Sequence, residues 1–137
     1  MEIRLATVED FDRVRQYDRH IPKERLRHCL EMGQVDALWD GDRVMGILRW
    51  SLFWQTMPFV DLIFLDDACR GRGLGSKMMA RWEKNRHAEG YDYGMTSTQA
   101  DETAKFFYEK LGYQRIGAFL PPDQEADELI YGKELNV

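Results

Sequence analysis

Residues Phe59 to Glu89 constrain this chain more than any other stretch. An apolar run, Phe59-Val60-Asp61-Leu62-Ile63-Phe64-Leu65, leads into a glycine-rich turn, Arg70-Gly71-Arg72-Gly73-Leu74-Gly75, and then into a segment where Leu74, Met78 and Trp82 recur at helical spacing. The run reads as a strand and the segment as a helix that starts at the turn. Glycine at 71, 73 and 75 removes the Cβ atoms that would hold a ligand off the backbone. The amides of a first helical turn have no partner inside the helix, and the macrodipole gives them partial positive charge. Strand, bare loop and helix start together make a cradle for an anion, with Arg70, Arg72 and Lys77 adding full charges beside it. A phosphate or pyrophosphate is the expected guest. A plain strand-to-helix connection would also accept these glycines, but such a turn rarely needs more than one.

Spacing narrows the ligand. A Walker loop ends in Gly-Lys-Ser/Thr, whereas Gly75 is followed by Ser76-Lys77-Met78, so ATP hydrolysis is not expected. A dinucleotide fingerprint requires Gly-x-Gly-x-x-Gly; the chain has Gly-x-Gly-x-Gly, with Asp92 about 20 residues on, where a ribose-binding acid would sit. A dinucleotide-binding oxidoreductase therefore stays open as an alternative, although its glycine turn would come late in the chain. The arginine heading the turn points elsewhere. Arg-x-x-Gly-x-Gly resembles the acetyl-CoA pyrophosphate loop of the GCN5-related N-acetyltransferase (GNAT) superfamily. Downstream, Ala104-Lys105-Phe106-Phe107-Tyr108-Glu109-Lys110-Leu111-Gly112-Tyr113 is similar to that family's second signature, Ala-x-x-x-Tyr-x-Lys-x-Gly-Phe/Tyr. The resemblance covers Phe59 to Phe119, a little under half of the chain.

The resemblance implies a single-domain α/β fold over residues 1–137, with a mixed central sheet of about six to seven strands flanked by about four helices. It implies acetyl-CoA as cosubstrate, no metal, and direct acetyl transfer to a primary amine of a small molecule or peptide. Tyr108 falls on the family's tyrosine, the general acid for the departing thiolate. Backbone amides of Ile63, Phe64 and Leu65 would meet the acetyl carbonyl and the pantetheine arm. Arg70, Gly71, Arg72, Gly73, Leu74, Gly75 and Ser76 would hold the pyrophosphate, and Asp101, Ala104 and Phe107 would complete the cofactor contacts. Two residues depart from the pattern: Asp67 stands where a proline is common, and Asp101 where an asparagine often touches the cofactor. A non-catalytic CoA-binding sensor would share the cradle without turnover.

The residues set their own chemical terms. A phenol with an ordinary pKa near 10 is protonated at neutral pH and can donate to a thiolate. Tyr108 also lies on the apolar stripe of its helix, where it could be core. Asp61 is the single charge of an apolar strand; burial would raise its pKa and suit it to accept a proton from the amine, directly or through water, which makes it the candidate general base. Were it at an exposed strand start, it would only be solvated. Asp66 and Asp67 are expected to point to solvent, since they would repel a pyrophosphate. No Cys-His pairing recommends a covalent route.

Composition excludes other classes. Hydrophobic residues make up 44% and charged residues 31% of the 137, as in a soluble globular domain, and no apolar run approaches the roughly 20 residues of a membrane span. Met1-Glu2-Ile3-Arg4-Leu5-Ala6 lacks the apolar core of a secretion signal, so a cytoplasmic protein is expected. Cys29 and Cys69 make no disulfide framework, and with three histidines no metal-ligand spacing arises. Net charge is −5, which disfavours nucleic acid and would draw a cationic amine. Lys77, Arg81, Lys84 and Arg86 read as a solvated helix face.

In chain order, Ile3 to Ala6 reads as a strand. Thr7 then caps a helix to about Tyr17, with Asp10 in the capping box and Val8, Phe11 and Val14 buried. A second helix opens at Pro22, buries Leu26, Cys29 and Leu30, and stops at Gly33. Val35 to Trp39 and Arg43 to Trp54 form a hairpin around Asp40-Gly41-Asp42; Trp50, Phe53 and Trp54 fall at strand spacing and read as core or as an acceptor wall. After the central strand and its helix, which stops at Glu89-Gly90, come a strand from Tyr91 to Thr98 and a helix capped by Asp101. Strands at Tyr113 to Phe119 and Glu128 to Leu135 follow, the last able to pair across a homodimer. The order is β-α-α-β-β-β-α-β-α-β-β.

Overall fold

The computed structural model of the chain describes residues 1–136. The strands are β1 (Glu2–Leu5), β2 (Val35–Asp40), β3 (Arg43–Phe53), β4 (Met57–Leu65), β5 (Tyr93–Gln99), β6 (Gln114–Phe119) and β7 (Glu128–Glu134), and the helices α1 (Phe11–Arg15), α2 (Lys23–Glu31), α3 (Leu74–Ala88) and α4 (Ala104–Lys110). The strands form a mixed sheet in the order β1-β2-β3-β4-β5-β7-β6. The element order is the expected one, with ends moved by a residue or two and short 3-10 turns added at Val8–Asp10 and Asp67–Cys69. The chain groups into two compact units, Met1–Ser51 with Asp61–Arg81, and Leu52–Val60 with the segment from Trp82 onward.

In the first unit, β2 pairs antiparallel with β1 and with β3, and Asp40 faces Arg43 across a tight turn whose Gly41 has φ +61. Val14, Leu26, Leu30, Val35, Ala37 and Ile47 form its buried core. The Asp10 carboxylate accepts the Thr7 amide at 2.9 Å, which starts the chain turning as the capping box predicts. The first turn is 3-10, however, and its different winding leaves Val8 43% exposed instead of buried. The helix that follows ends at Arg15, short of Tyr17. Pro22 sits one residue before α2, in extended backbone, and Gly33 at φ +70 ends the turn beyond it.

Gly46 on β3 admits the end of β4: a Cβ there would lie 2.6 Å from Leu65 Cδ2 and 3.0 Å from the Phe64 carbonyl oxygen. Gly46→Ala should therefore cost about 1–3 kcal/mol through overpacking, read as a lower midpoint in urea unfolding.

In the second unit, Phe59 pairs with Met95 and Val60 with Thr96 in parallel, β5 pairs antiparallel with β7 along its length, and β7 with β6. Among the described residues the β4–β5 ladder holds only those two pairs, and β4 is partly exposed from Asp61 on, not buried on both faces as its composition suggests. Two other expectations fail here. The final strand is interior, paired on both sides, so the free edge belongs to β6, which is exposed throughout. Trp54 is not on a strand: it and Gln55 form a two-residue turn at φ 55 and φ 62, closed by the Thr56 amide on the Phe53 carbonyl at 3.1 Å. That backbone suits the twist of a hairpin and leaves Trp54 77% exposed, while Trp50 is buried.

Candidate active site

The glycine turn has open, left-handed backbone at Gly71 and Gly73, whereas Gly75 lies inside α3, and the arginine heading the turn departs from expectation. Gly71 and Gly73 lie at φ +73 and φ +74, and a Cβ at either would meet nothing within 4 Å, so glycine serves conformation there and keeps the approach open. The Gly73 carbonyl accepts the Lys77 amide at 3.2 Å, which begins α3 and leaves the amides of Leu74, Gly75 and Ser76 as the partnerless first turn. No internal hydrogen bond engages the amides of Gly71, Arg72 or Gly73 among the described residues. Arg70 is the exception: its amide donates to the Asp67 carbonyl at 3.3 Å, its Nε to the Leu65 carbonyl at 3.2 Å, and its Nη1 pairs with the Asp67 carboxylate at 3.2 Å. The arginine thus braces the turn against the end of β4, and the run of free amides begins at Gly71.

The neighbouring acids divide. Asp67 is exposed, as expected. Asp66 is not pointed to solvent: its carboxylate accepts the Ala68 amide at 3.0 Å and the Tyr17 hydroxyl at 3.1 Å, capping the short turn before the glycines. Cys69 is fully buried, which leaves it inert. Nor is the basic face of α3 wholly solvated. Arg81 pairs with the buried Asp36 at 2.9 Å and Arg86 with Glu89 at 2.8 Å, leaving Lys77 and Lys84 exposed.

Asp61 lies in the middle of β4 and not at its start, yet the residue as a whole is exposed, as the solvated alternative has it. Its side chain is 27% accessible, and one carboxylate oxygen lies 3.7 Å from Arg49 Nη1. Partial withdrawal from water pushes its carboxyl above the usual carboxylate range, with the Asp18 charge adding; a Ser51 hydrogen bond and the Arg49 charge oppose this. Arg49 and Asp18 escaped the sequence reading. For Arg49 the signal was available, a lone charge between Leu48 and Trp50, of the same kind that singled out Asp61. Asp18, in the segment between α1 and α2, gave none.

In the second unit, Tyr108 is 5% exposed. Its ring lies 5.3 Å from Phe107, 6.0 Å from Tyr113 and 6.4 Å from Tyr131. Burial raises its hydroxyl above the ordinary phenol range, a hydrogen bond with Thr96 pulls the other way, and the carboxylates of Glu128 and Glu102 raise it further. The Thr96 hydroxyl in turn donates to the Val60 carbonyl at 3.1 Å. Ala104 and Phe107 are half-buried on α4. Asp101 does not cap that helix; Thr103 stands at its start, and no side chain bonds there. No group of metal-ligating side chains exists among the described residues, and no helix is long and apolar enough to cross a membrane.

Comparison with known proteins identifies the family. Residues 33–115 match the family described as Acetyltransferase (GNAT) domain. Over 92 residues the chain is 34% identical to a blasticidin-S acetyltransferase of Streptomyces morookaense, covering 67% of this chain and 66% of that protein, just under two thirds of its length. Among solved structures, an N-acetyltransferase from Staphylococcus aureus Mu50 superposes with a TM-score of 0.82 at 18% identity, covering 98% of each chain. An aminoglycoside 6′-N-acetyltransferase complexed with coenzyme A superposes at 0.79 and 15% identity over 100% of this chain and 98% of that one. A family match over more than half of the sequence, running from the end of α2 through both signatures, shows that this chain belongs to the GNAT acetyltransferase family.

Proposed function

We propose that the protein is an acetyl-CoA-dependent N-acetyltransferase that passes the acetyl group directly to a primary amine. The observation that carries this is the row of unengaged amides from Gly71 into the first turn of α3, opened by two left-handed glycines and suited to a pyrophosphate. In the reaction the amine nitrogen bonds to the thioester carbonyl carbon and the carbon–sulfur bond breaks. Asp61, whose raised pKa favours proton uptake, accepts the amine's proton directly or through water. Tyr108 supplies a hydrogen bond and a proton to the leaving thiolate. Amides of Ile63, Phe64 and Leu65 hold the carbonyl and the pantetheine arm, consistent with the short β4–β5 ladder; Ala104 and Phe107 are the further cofactor contacts, and Asp101, bonded to no helix, is free to be another.

One observation favours a sensor instead: Tyr108 is packed and hydrogen-bonded as a core residue would be. Thiol release from acetyl-CoA with a panel of small-molecule and peptide amines separates the two. Blasticidin S goes first, because it names the relative's activity. Release with at least one amine is expected. Thermal stabilisation by acetyl-CoA without release from any amine would establish a sensor, and stabilisation by NAD alone would overturn both.

A further inference from the structure

We propose that Arg49 is a positioning residue, anchored by Asp18, that ties the segment between α1 and α2 to the Asp61 carboxylate. This rests on reading Asp61 as the proton acceptor. The geometry is that of a bridge. Arg49 Nε donates to Asp18 Oδ2 at 2.5 Å, and Nη1 of the same guanidinium lies 3.7 Å from Asp61 Oδ2. Asp18 is wholly buried and the Arg49 side chain 9% exposed, whereas the Asp61 side chain is 27% exposed, so the bridge runs from the interior to the edge of solvent. Because the planar guanidinium has its donors at fixed angles, the arm on Asp18 restricts where the other arm can point. Arg15 Nη1 holds the same segment through the carbonyls of Asp18 and Ile21, at 3.2 and 2.5 Å. The anchor is thus itself pinned.

The charge balance gives this a signature that packing alone would not produce. Two charges act on Asp61, Arg49 lowering its pKa and Asp18 raising it, with Ser51 hydrogen-bonding from β3. The Cys29 thiol of α2 is close enough to feel Asp61, Asp18 and Arg49, and burial holds it above the usual thiol range, so it stays neutral where Asp61 titrates. Exposed His20 contacts the far oxygen of Asp18 at 3.3 Å and bears on Asp61 only through that residue. Removing the cation and removing the anchor must therefore move Asp61 in opposite directions. Arg49→Gln leaves desolvation and the Asp18 charge unopposed, which raises the pKa. Asp18→Asn frees the guanidinium for Asp61 alone, which lowers it.

The experiment follows the Asp61 carboxyl by carbon-13 NMR titration and, in parallel, the acidic limb of kcat/KM against pH, in the parent and three variants. Arg49→Gln should shift both readouts up by about one pH unit and Asp18→Asn should shift them down by a similar amount, as expected for charges at this range. The double variant Asp18→Asn with Arg49→Gln should return close to the parent. It carries no uncompensated buried charge, so with Asp18→Asn it decides the matter even if Arg49→Gln does not fold. Shifts of the same sign, or a carboxyl titration unmoved in all three, would overturn the proposal. The reading of Asp61 as base fails separately: Asp61→Asn at parental turnover would refute it while leaving the opposed NMR shifts intact.

Discussion

Tyr108→Phe should lower turnover about 100-fold, the lower end of what a positioned general acid contributes, while acetyl-CoA binds as before. The ring is what the fold uses: it sits among Phe107, Tyr113 and Tyr131, and phenylalanine keeps every one of those contacts. Only the hydroxyl and its bond with Thr96 are lost, which should cost about 1 kcal/mol of stability. An interaction made only in the transition state lowers kcat and kcat/KM by the same factor, and that equality is the measurement to make. A tyrosine serving purely as core would give the stability loss with turnover changed less than about twofold, far below the general-acid range. The pH dependence has a definite sign as well. Since the folded protein holds this phenol above its ordinary pKa, the acid remains protonated at neutral pH, and no alkaline loss from it should appear below about pH 10. The same shift means that its contribution to stability is present below that pH and declines above it, as the unfolded chain's phenol ionises.

Sequence pattern carried the order of elements because punctuation and periodicity are local. Gly33, Gly41 and Gly90 each mark a turn by left-handed backbone, and Leu74, Met78 and Trp82 lie on one face of α3, with Met78 and Trp82 fully buried. What stayed hidden depends on residues distant in sequence or on backbone that composition does not announce. The Trp54-Gln55 turn has neither glycine nor asparagine, so nothing marked it as left-handed, and Trp54 looked like strand. Repulsion from a phosphate would send Asp66 to solvent, but Tyr17 and the Ala68 amide compete for it. Position in the sequence offers Arg70 as a charge for the ligand, whereas Asp67 and the Leu65 carbonyl engage it. In each case a side chain expected to face a ligand or solvent instead satisfies a polar group of the protein, as partly buried polar atoms must. Gly71 and Gly73 are legible for the opposite reason: their left-handed backbone lies in their own φ angles, which no distant residue supplies, whereas Gly75 lies within α3.

The largest loss of cofactor binding should come from replacing Gly71 and Gly73 together with alanine. Neither position has a neighbour that a methyl group would strike, so the penalty is conformational: an L-residue in left-handed backbone costs about 1–2 kcal/mol at each site. The free loop can escape that cost by turning its peptides, because no internal hydrogen bond holds those amides. Turning them takes the donors away from the pyrophosphate, and restoring them on binding returns the strain. At tenfold in affinity per 1.4 kcal/mol, acetyl-CoA should bind at least about 30-fold more weakly, and the rise in Tm that it gives the parent should vanish at the same concentration. Gly90→Ala is the control. That glycine also lies in left-handed backbone with open space around it, at φ +102 beyond α3, so its replacement should cost comparable stability and leave the acetyl-CoA response at the parental value. If the Gly71 and Gly73 double variant were stabilised by acetyl-CoA as strongly as the parent and Gly90→Ala, the amides of this turn would not be what holds the cofactor's phosphates.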